Sequence, residues 1–247
     1  MISPVFTTIV LCSCFIWLFM KMTTRNMNNS NEAFLERERQ ANSVRKQPLT
    51  SLEYITVNPD DFPNNHPGNE RITELVDRLQ TLSTQKIVNL TGISNTDLKF
   101  AYGVANLNTL MEYDQNFTAL CRIIYDLGSE LLNEQDVSSA ISVLEKGVDF
   151  GTDVSANYTL LATLYIQNGR KDDIRLLIDK ADSIKSLTKR STIKKLQALL
   201  DADSNILVKD EDGQVAAISS GDGDNILPRD ILDILETVPY KSDDQRP

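Results

Sequence analysis

Few residues of this 247-residue chain have types and spacings that could do chemistry. Cys121 is the one thiol outside the apolar N-terminal segment, and a nucleophilic cysteine needs a nearby base to make its thiolate. Its neighbours Arg122, Ile123 and Ile124 set it inside a helical pattern with no such base, which reads as packing. The single histidine, His66, stands in Asn64-Asn65-His66-Pro67-Gly68, a turn, so histidine-dependent chemistry lacks its material. Asp210, Asp212 and Gly213 match the middle of a calcium loop. That register, however, puts Val208 and Ser219 at the two outer ligand positions, so the run reads as a hairpin turn. The adjacent acids Asp60-Asp61, Asp172-Asp173 and Asp243-Asp244 read as solvated or helix-N-terminal charges. With no glycine-rich phosphate loop, metal-ligand cluster or nucleophilic triad, the expectation is a protein that is not an enzyme, uses no cofactor or metal and takes no small-molecule substrate.

Charge narrows the partners further. A formal net charge of -10 argues against nucleic acid, whose binding rests on a basic surface that releases counterions from phosphates. The acidity is concentrated: from Asp201 to Pro247 there are 12 acids against 4 bases, a balance of -8. Between Lys171 and Lys195 the sign reverses, with 8 bases against 4 acids. The three cysteines, Cys12, Cys14 and Cys121, form neither a disulfide framework nor a CxxC site.

At the N terminus, Ile2 to Met20 carries no charge and is dense in Ile, Val, Leu, Phe and Trp, close to the roughly 20 residues that cross a bilayer as a helix. The expectation is a single spanning helix over residues 1–20, since a cleavable signal would show a basic start, a shorter apolar core and a small-x-small site. Leu11-Cys12-Ser13-Cys14 has some likeness to a lipoprotein box, but apolar residues continue through Met20. Lys21, Arg25, Arg37, Arg39, Arg45 and Lys46 follow the segment and no base precedes it, which favours a cytoplasmic C-terminal domain.

Residues 21–68 read as an Asn-rich linker, a solvated juxtamembrane helix over Asn31–Val44, an extended strip Leu52–Val57 and a proline-rich loop. Helical spacing of Ile72, Leu75, Val76, Leu79 and Leu82 after the N-cap Asn69 opens a helical domain over 69–201. Ser94, with Asp97, caps a short helix ending at Gly103, Leu107 starts another, and Asp136 and Ser155 read as N-caps of later helices. Residues 202–247 are expected to be a partly disordered acidic tail with a small hairpin over Ile206–Ile218.

The strongest pattern is a repeat of about 34 residues. Residues 121–154 and 155–188 align without a gap: Leu127-Gly128 with Leu161-Ala162, Leu131 with Tyr165, Gln135 with Gly169, Ala140 with Ile174, Leu144 with Ile178, Gly147 with Ala181. Small residues let two helices of a hairpin approach, and large ones fill the space between hairpins. These residues resemble the tetratricopeptide-repeat family. Ile124 and Tyr158 stand where that family favours Trp, and Thr152 and Ser186 where it favours Pro.

The resemblance implies an all-α fold, a short α-solenoid of antiparallel helix pairs closed by a basic capping helix over 188–200. It also implies a concave groove lined by the first helix of each pair, in which Arg122, Tyr125, Asn133, Thr159 and Gln167 would contact a protein partner. The function expected is a membrane-anchored interaction or scaffold protein. The alternative is a structural or assembly component that meets anionic lipid through the capping helix. One anchor, a short repeat-like domain and an acidic tail resemble the build of many bacterial membrane proteins.

Overall fold

Capping side chains and glycines punctuate an all-helical chain. The computed structural model describes the backbone of residues 4–63 and 68–206 and the side chains of 12–22, 31–63 and 68–201. Its α-helices are α1 (Pro4–Asn42), α2 (Glu70–Ser83), α3 (Asn95–Tyr102), α4 (Leu107–Asn133), α5 (Val137–Asp149), α6 (Ser155–Gln167), α7 (Lys171–Asp182) and α8 (Lys189–Ile206). Among the described residues there is no strand; the only sheet-like pairing given is an antiparallel bridge between Tyr54 and Val88, which uses the strip expected to be extended. The readings of a hairpin and tail beyond Ile206, and of the turn around His66, lie outside the described residues.

Three expected caps form. Asn69 accepts the Ile72 N–H at 3.0 Å, Ser94 accepts the Asp97 N–H at 3.2 Å, and Asp136 accepts the Ser139 N–H at 3.1 Å. The cap expected from Ser155 does not: Val154 takes the N-cap position and the buried Ser155 hydroxyl has no partner among the described residues. Two boundaries are also corrected. The linker expected at Thr23–Ser30 is helical, so α1 is continuous to Asn42. No Gly or Pro lies between Pro4 and Pro48, and Asn, Ser and Thr disfavour a helix only by tenths of a kcal/mol each, too little to stop one propagating. Likewise α4 runs unbroken, so the first helix of the first repeat is the C-terminal half of a longer one.

Among the described residues no helix is long and apolar enough to cross a membrane. The expected span falls partly outside them, since the side chains described there begin at Cys12, leaving a stretch shorter than the roughly 20 residues a crossing needs.

The chain divides into two compact units, with the division inside α4. The first comprises Met1–Ser51 and Ile93–Leu110. Here the end of α1 packs on α3: Ala41 is fully buried, Arg37 pairs with Asp97 at 2.6 Å, and Glu38 meets Lys99 and accepts the Thr96 hydroxyl. Those partners, Lys99 first, hold the Glu38 carboxyl below its ordinary value. Gly103 is required by contact as well as by its φ of +82°, because a Cβ there would lie 2.5 Å from the Arg45 carbonyl oxygen. Buried Asn106 then donates to the carbonyls of Gln47 and Tyr102, both at 2.7 Å.

The second unit, Leu52–Gly92 and Met111–Pro247, holds the main core. The helix pairs α4/α5 and α6/α7 stack as the repeat pattern requires. A Cβ on Gly128 would come within 2.7 Å of Leu144, and one on Gly147 within 2.9 Å of Ile124, so both glycines mark closest approach between helices. The matching turns share one backbone shape: Gly169 has φ +69° and Gln135, its counterpart, has φ +62°. α6 packs against α5, α7 and α8, and every residue from Asn157 to Tyr165 is buried.

Two expectations follow. Gly128→Ala should destabilise the protein by about 1–3 kcal/mol through overpacking against Leu144. Gly169→Ala should cost about 1 kcal/mol, whereas Gln135→Gly should be neutral or gain up to about 1 kcal/mol by relieving left-handed strain. Urea unfolding of the full chain reads both, and equal losses from the two turn substitutions would show that the turns are not equivalent.

Candidate binding surface

The groove positions were assigned by register along α4 and α6, so their exposure is the first question. Arg122 and Asn133 are exposed on α4, and Tyr125 is half-buried between them in sequence. The three are spaced i, i+3 and i+11 and share one face. Arg122 makes no ion pair among the described residues, while the Asn133 amide donates to Glu130 at 3.3 Å. Ser129 and Leu132, on the same register, are half-buried.

The second copy differs. Thr159 is 6% exposed, and its hydroxyl bonds the carbonyls of Ser155 and Ala156 within its own helix. Thr163 is buried too, and Gln167 is half-buried with both amide atoms unpartnered among the described residues. The five residues therefore do not line one open groove: Arg122, Tyr125 and Asn133 present a surface, and Thr159 does not. The reason is α6 itself, which neighbours enclose on all sides, whereas a groove helix must leave one face to solvent.

Two clefts in the second unit were not foreseen. One, about 310 Å³, is lined by Glu53, Tyr54, Asn89, Asp153 and Lys185 among others; Asn89 crosses it to donate to the Gly151 carbonyl at 3.2 Å. The other, about 220 Å³, has exposed Leu176 on its rim and a charged cluster inside. There the Tyr165 hydroxyl donates to Glu145 at 2.7 Å, while Arg170 reaches Glu145 at 3.0 Å and Asp173 at 2.6 Å. The Arg170 guanidinium also lies 4.3 Å from the Tyr165 ring centre. Burial, reinforced by Glu145, pushes the Tyr165 phenol above its ordinary value. The charges of this cluster answer one another, so its work is to tie α5, α6 and α7 together. In the sequence it left one trace, an aromatic residue at Tyr165 followed by Arg170 just past the Gly169 turn.

Cys121 is buried, as its helical context implied, and the Thr152 hydroxyl hydrogen-bonds it. Burial pushes the thiol up to about 11, the reverse of what a nucleophile needs. Next to it Tyr158 donates to the Thr152 carbonyl at 3.0 Å, and burial followed by the neighbouring Cys121 and Asp153 raises its phenol to about 12. Among the described residues no group of His, Cys, Asp and Glu could hold a metal ion.

In comparison with known proteins, no family model, no curated protein and no solved structure matches this chain.

The Cys121 thiol ties stability to pH. Its folded value lies above its ordinary value of 9.0, so the neutral thiol favours the folded state; that contribution is complete below about pH 9 and is lost as pH rises toward about 11. The slope in that window should approach about 1.4 kcal/mol per pH unit, and Cys121→Ala should remove this share of it. Chemical denaturation from pH 8 to 11 of both proteins checks the difference; parallel curves would mean that Cys121 titrates normally.

Proposed function

We propose that this protein is a membrane-anchored interaction or scaffold protein whose tetratricopeptide-like domain holds a protein partner beside the bilayer. The observation that carries the reading is the stacking of α4/α5 on α6/α7, with close-approach glycines and matched turns, beside an α4 face where Arg122, Tyr125 and Asn133 are accessible. Arg122 brings a cation with no ion pair among the described residues, Tyr125 a rigid aromatic surface and Asn133 adaptable hydrogen bonding, a combination suited to an extended or helical segment carrying a carboxylate. Thr159 drops out of the contact set, and Gln167 stays as a hydrogen-bonding group at its edge.

The anchor is residues 2–20. Its support is the uncharged sequence together with the exposure of Phe15, Ile16, Trp17, Leu18, Phe19 and Met20, each more than half open to the surroundings. Apolar side chains this exposed along an uncharged helical stretch call for an apolar solvent. Lys21 sits 4.9 Å from the Trp17 ring centre, the aromatic and basic pairing found where helices leave the hydrocarbon. The bases after residue 20 place the domain in the cytoplasm in this reading.

Crosslinking in intact cells followed by mass spectrometry tests the partner surface. A specific partner should be captured by the native protein and by Arg78→Ala, and lost from an Arg122→Ala/Tyr125→Ala/Asn133→Ala variant that unfolds at the same temperature. Capture of the same proteins by all three would refute the α4 surface. A Ser242→Cys chain should react with a membrane-impermeant maleimide only after permeabilisation; reaction in intact cells would reverse the orientation.

A further inference from the structure

We propose that the acidic C-terminal stretch, residues 207–247, is an intramolecular ligand for the basic face of α8. Thr192, Leu196 and Leu199 bury one side of this helix, at i, i+4 and i+7. Arg190 and Lys194 stand exposed on the other side and Lys195 on its flank, and the three meet no acid among the described residues. Four nearby cations do meet acids: Lys189 pairs with Asp182 at 2.8 Å, Lys180 with Asp149 at 2.5 Å, Arg175 with Asp172 at 3.3 Å, and Arg170 with two acids. Arg122 and Lys185 also lack an acid partner among the described residues, but on α8 three such bases stand on one helix.

Charge and reach select the ligand. The last 47 residues carry -8 of the chain's net -10, so the rest of the molecule is nearly neutral and does not repel an acidic segment. Being covalently continuous with α8, that segment is present at about millimolar effective concentration, ahead of a dilute acidic partner. From Ile206 back to Lys195 is about 17 Å along the helix axis, and back to Arg190 about 24 Å. Asp210, Glu211 and Asp212 follow Ile206 closely enough to cover at most about 20 Å, which brings them to Lys194 and Lys195, and Asp222 and Asp224 have ample chain to reach Arg190. The negative end of the helix dipole, with Asp201 and Asp203 beside it, steers acids away from the C-terminal turn of α8 toward these bases. The tail thereby screens the α8 face from anionic lipid and from acidic partners. This inference does not depend on the α4 surface described above.

The test is zero-length carbodiimide crosslinking of the full chain in zwitterionic detergent, with isotope-labelled and unlabelled chains mixed and linked peptides mapped by mass spectrometry. Intrachain links from Lys194 and Lys195 to acids of 207–247 are expected, falling about 5-fold or more in 1 M salt, where screening acts over about 3 Å. Arg190→Glu, which removes a charge but neither reactive lysine and lies at an exposed position, should lower the same links. So should the Asp210→Asn/Glu211→Gln/Asp212→Asn/Asp222→Asn/Asp224→Asn variant, at Asp230 and beyond. That variant should also bind a fluorescent polyglutamate peptide about 10-fold more tightly than the native chain, a gain of about 1.4 kcal/mol, because its α8 face is uncovered. Links confined to mixed labelled and unlabelled pairs would assign the face to a second copy and overturn the proposal. Absence of tail links, with Lys194 and Lys195 instead shielded by nanodiscs containing phosphatidylserine, would assign it to lipid and overturn it equally.

Discussion

The second unit is arranged around a helix enclosed on every side, whose polar side chains must find partners inside the protein; most do, while the Ser155 hydroxyl, the Asn157 Oδ1 and the Gln167 amide find none among the described residues. From Asn157 to Tyr165 α6 has no free face, yet it includes an asparagine, two tyrosines and two threonines. Asn157 donates to the Leu144 carbonyl at 3.0 Å, Tyr158 to the Thr152 carbonyl, Tyr165 to Glu145, and the threonine hydroxyls to carbonyls of their own helix. The three bonds that leave the helix each fix a neighbour: Leu144 lies on α5, Thr152 in the loop before α6, and Glu145 on the side of α5 that Arg170 also grips. Leaving such groups unpaired would cost about 1–3 kcal/mol apiece, so the polar positions specify the arrangement as much as the apolar ones.

That constraint explains why the chain departs from an open groove. A repeat of two helix pairs is short of the roughly three units needed to bury a core, and the deficit is made up by enclosure. α8 packs against both α6 and α7, and α2 contributes Ile72, Leu75, Leu79 and Leu82 to the same core. The enclosure stabilises the domain by burying the first helix of the second pair, and the accessible face shifts to α4.

Electrostatics divides the surface along similar lines. Exposed ion pairs such as Arg71 with Glu74 and Lys146 with Asp61 contribute at most about 1 kcal/mol each, and their interest lies in what they leave over. Among the described residues, Arg122 on α4 and Arg190, Lys194 and Lys195 on α8 meet no acid. Both lie on helices of the same repeat-like unit, and both favour anionic groups, one as part of a mixed polar and aromatic surface, the other as a purely cationic strip.

The sequence by itself determined the helical class, the two matched hairpins, the caps at Asn69, Ser94 and Asp136, and the burial of Cys121, because each is written in local spacing: apolar residues at helical intervals, a capping side chain one turn before its amide, small residues at the crossings. The equivalence of Gln135 and Gly169 was visible as alignment, while the left-handed backbone they share was not. Only the tertiary structure decided that α1 and α4 run on without a break, since helix propagation depends on the whole segment and mildly unfavourable residues do not end it. Only the tertiary structure, too, decided that Thr159 is interior and Arg122 is not. Register states which face of a helix a residue occupies; what that face meets is settled by segments distant in the chain, here α8 and the loop before α6, and no local pattern carries that information.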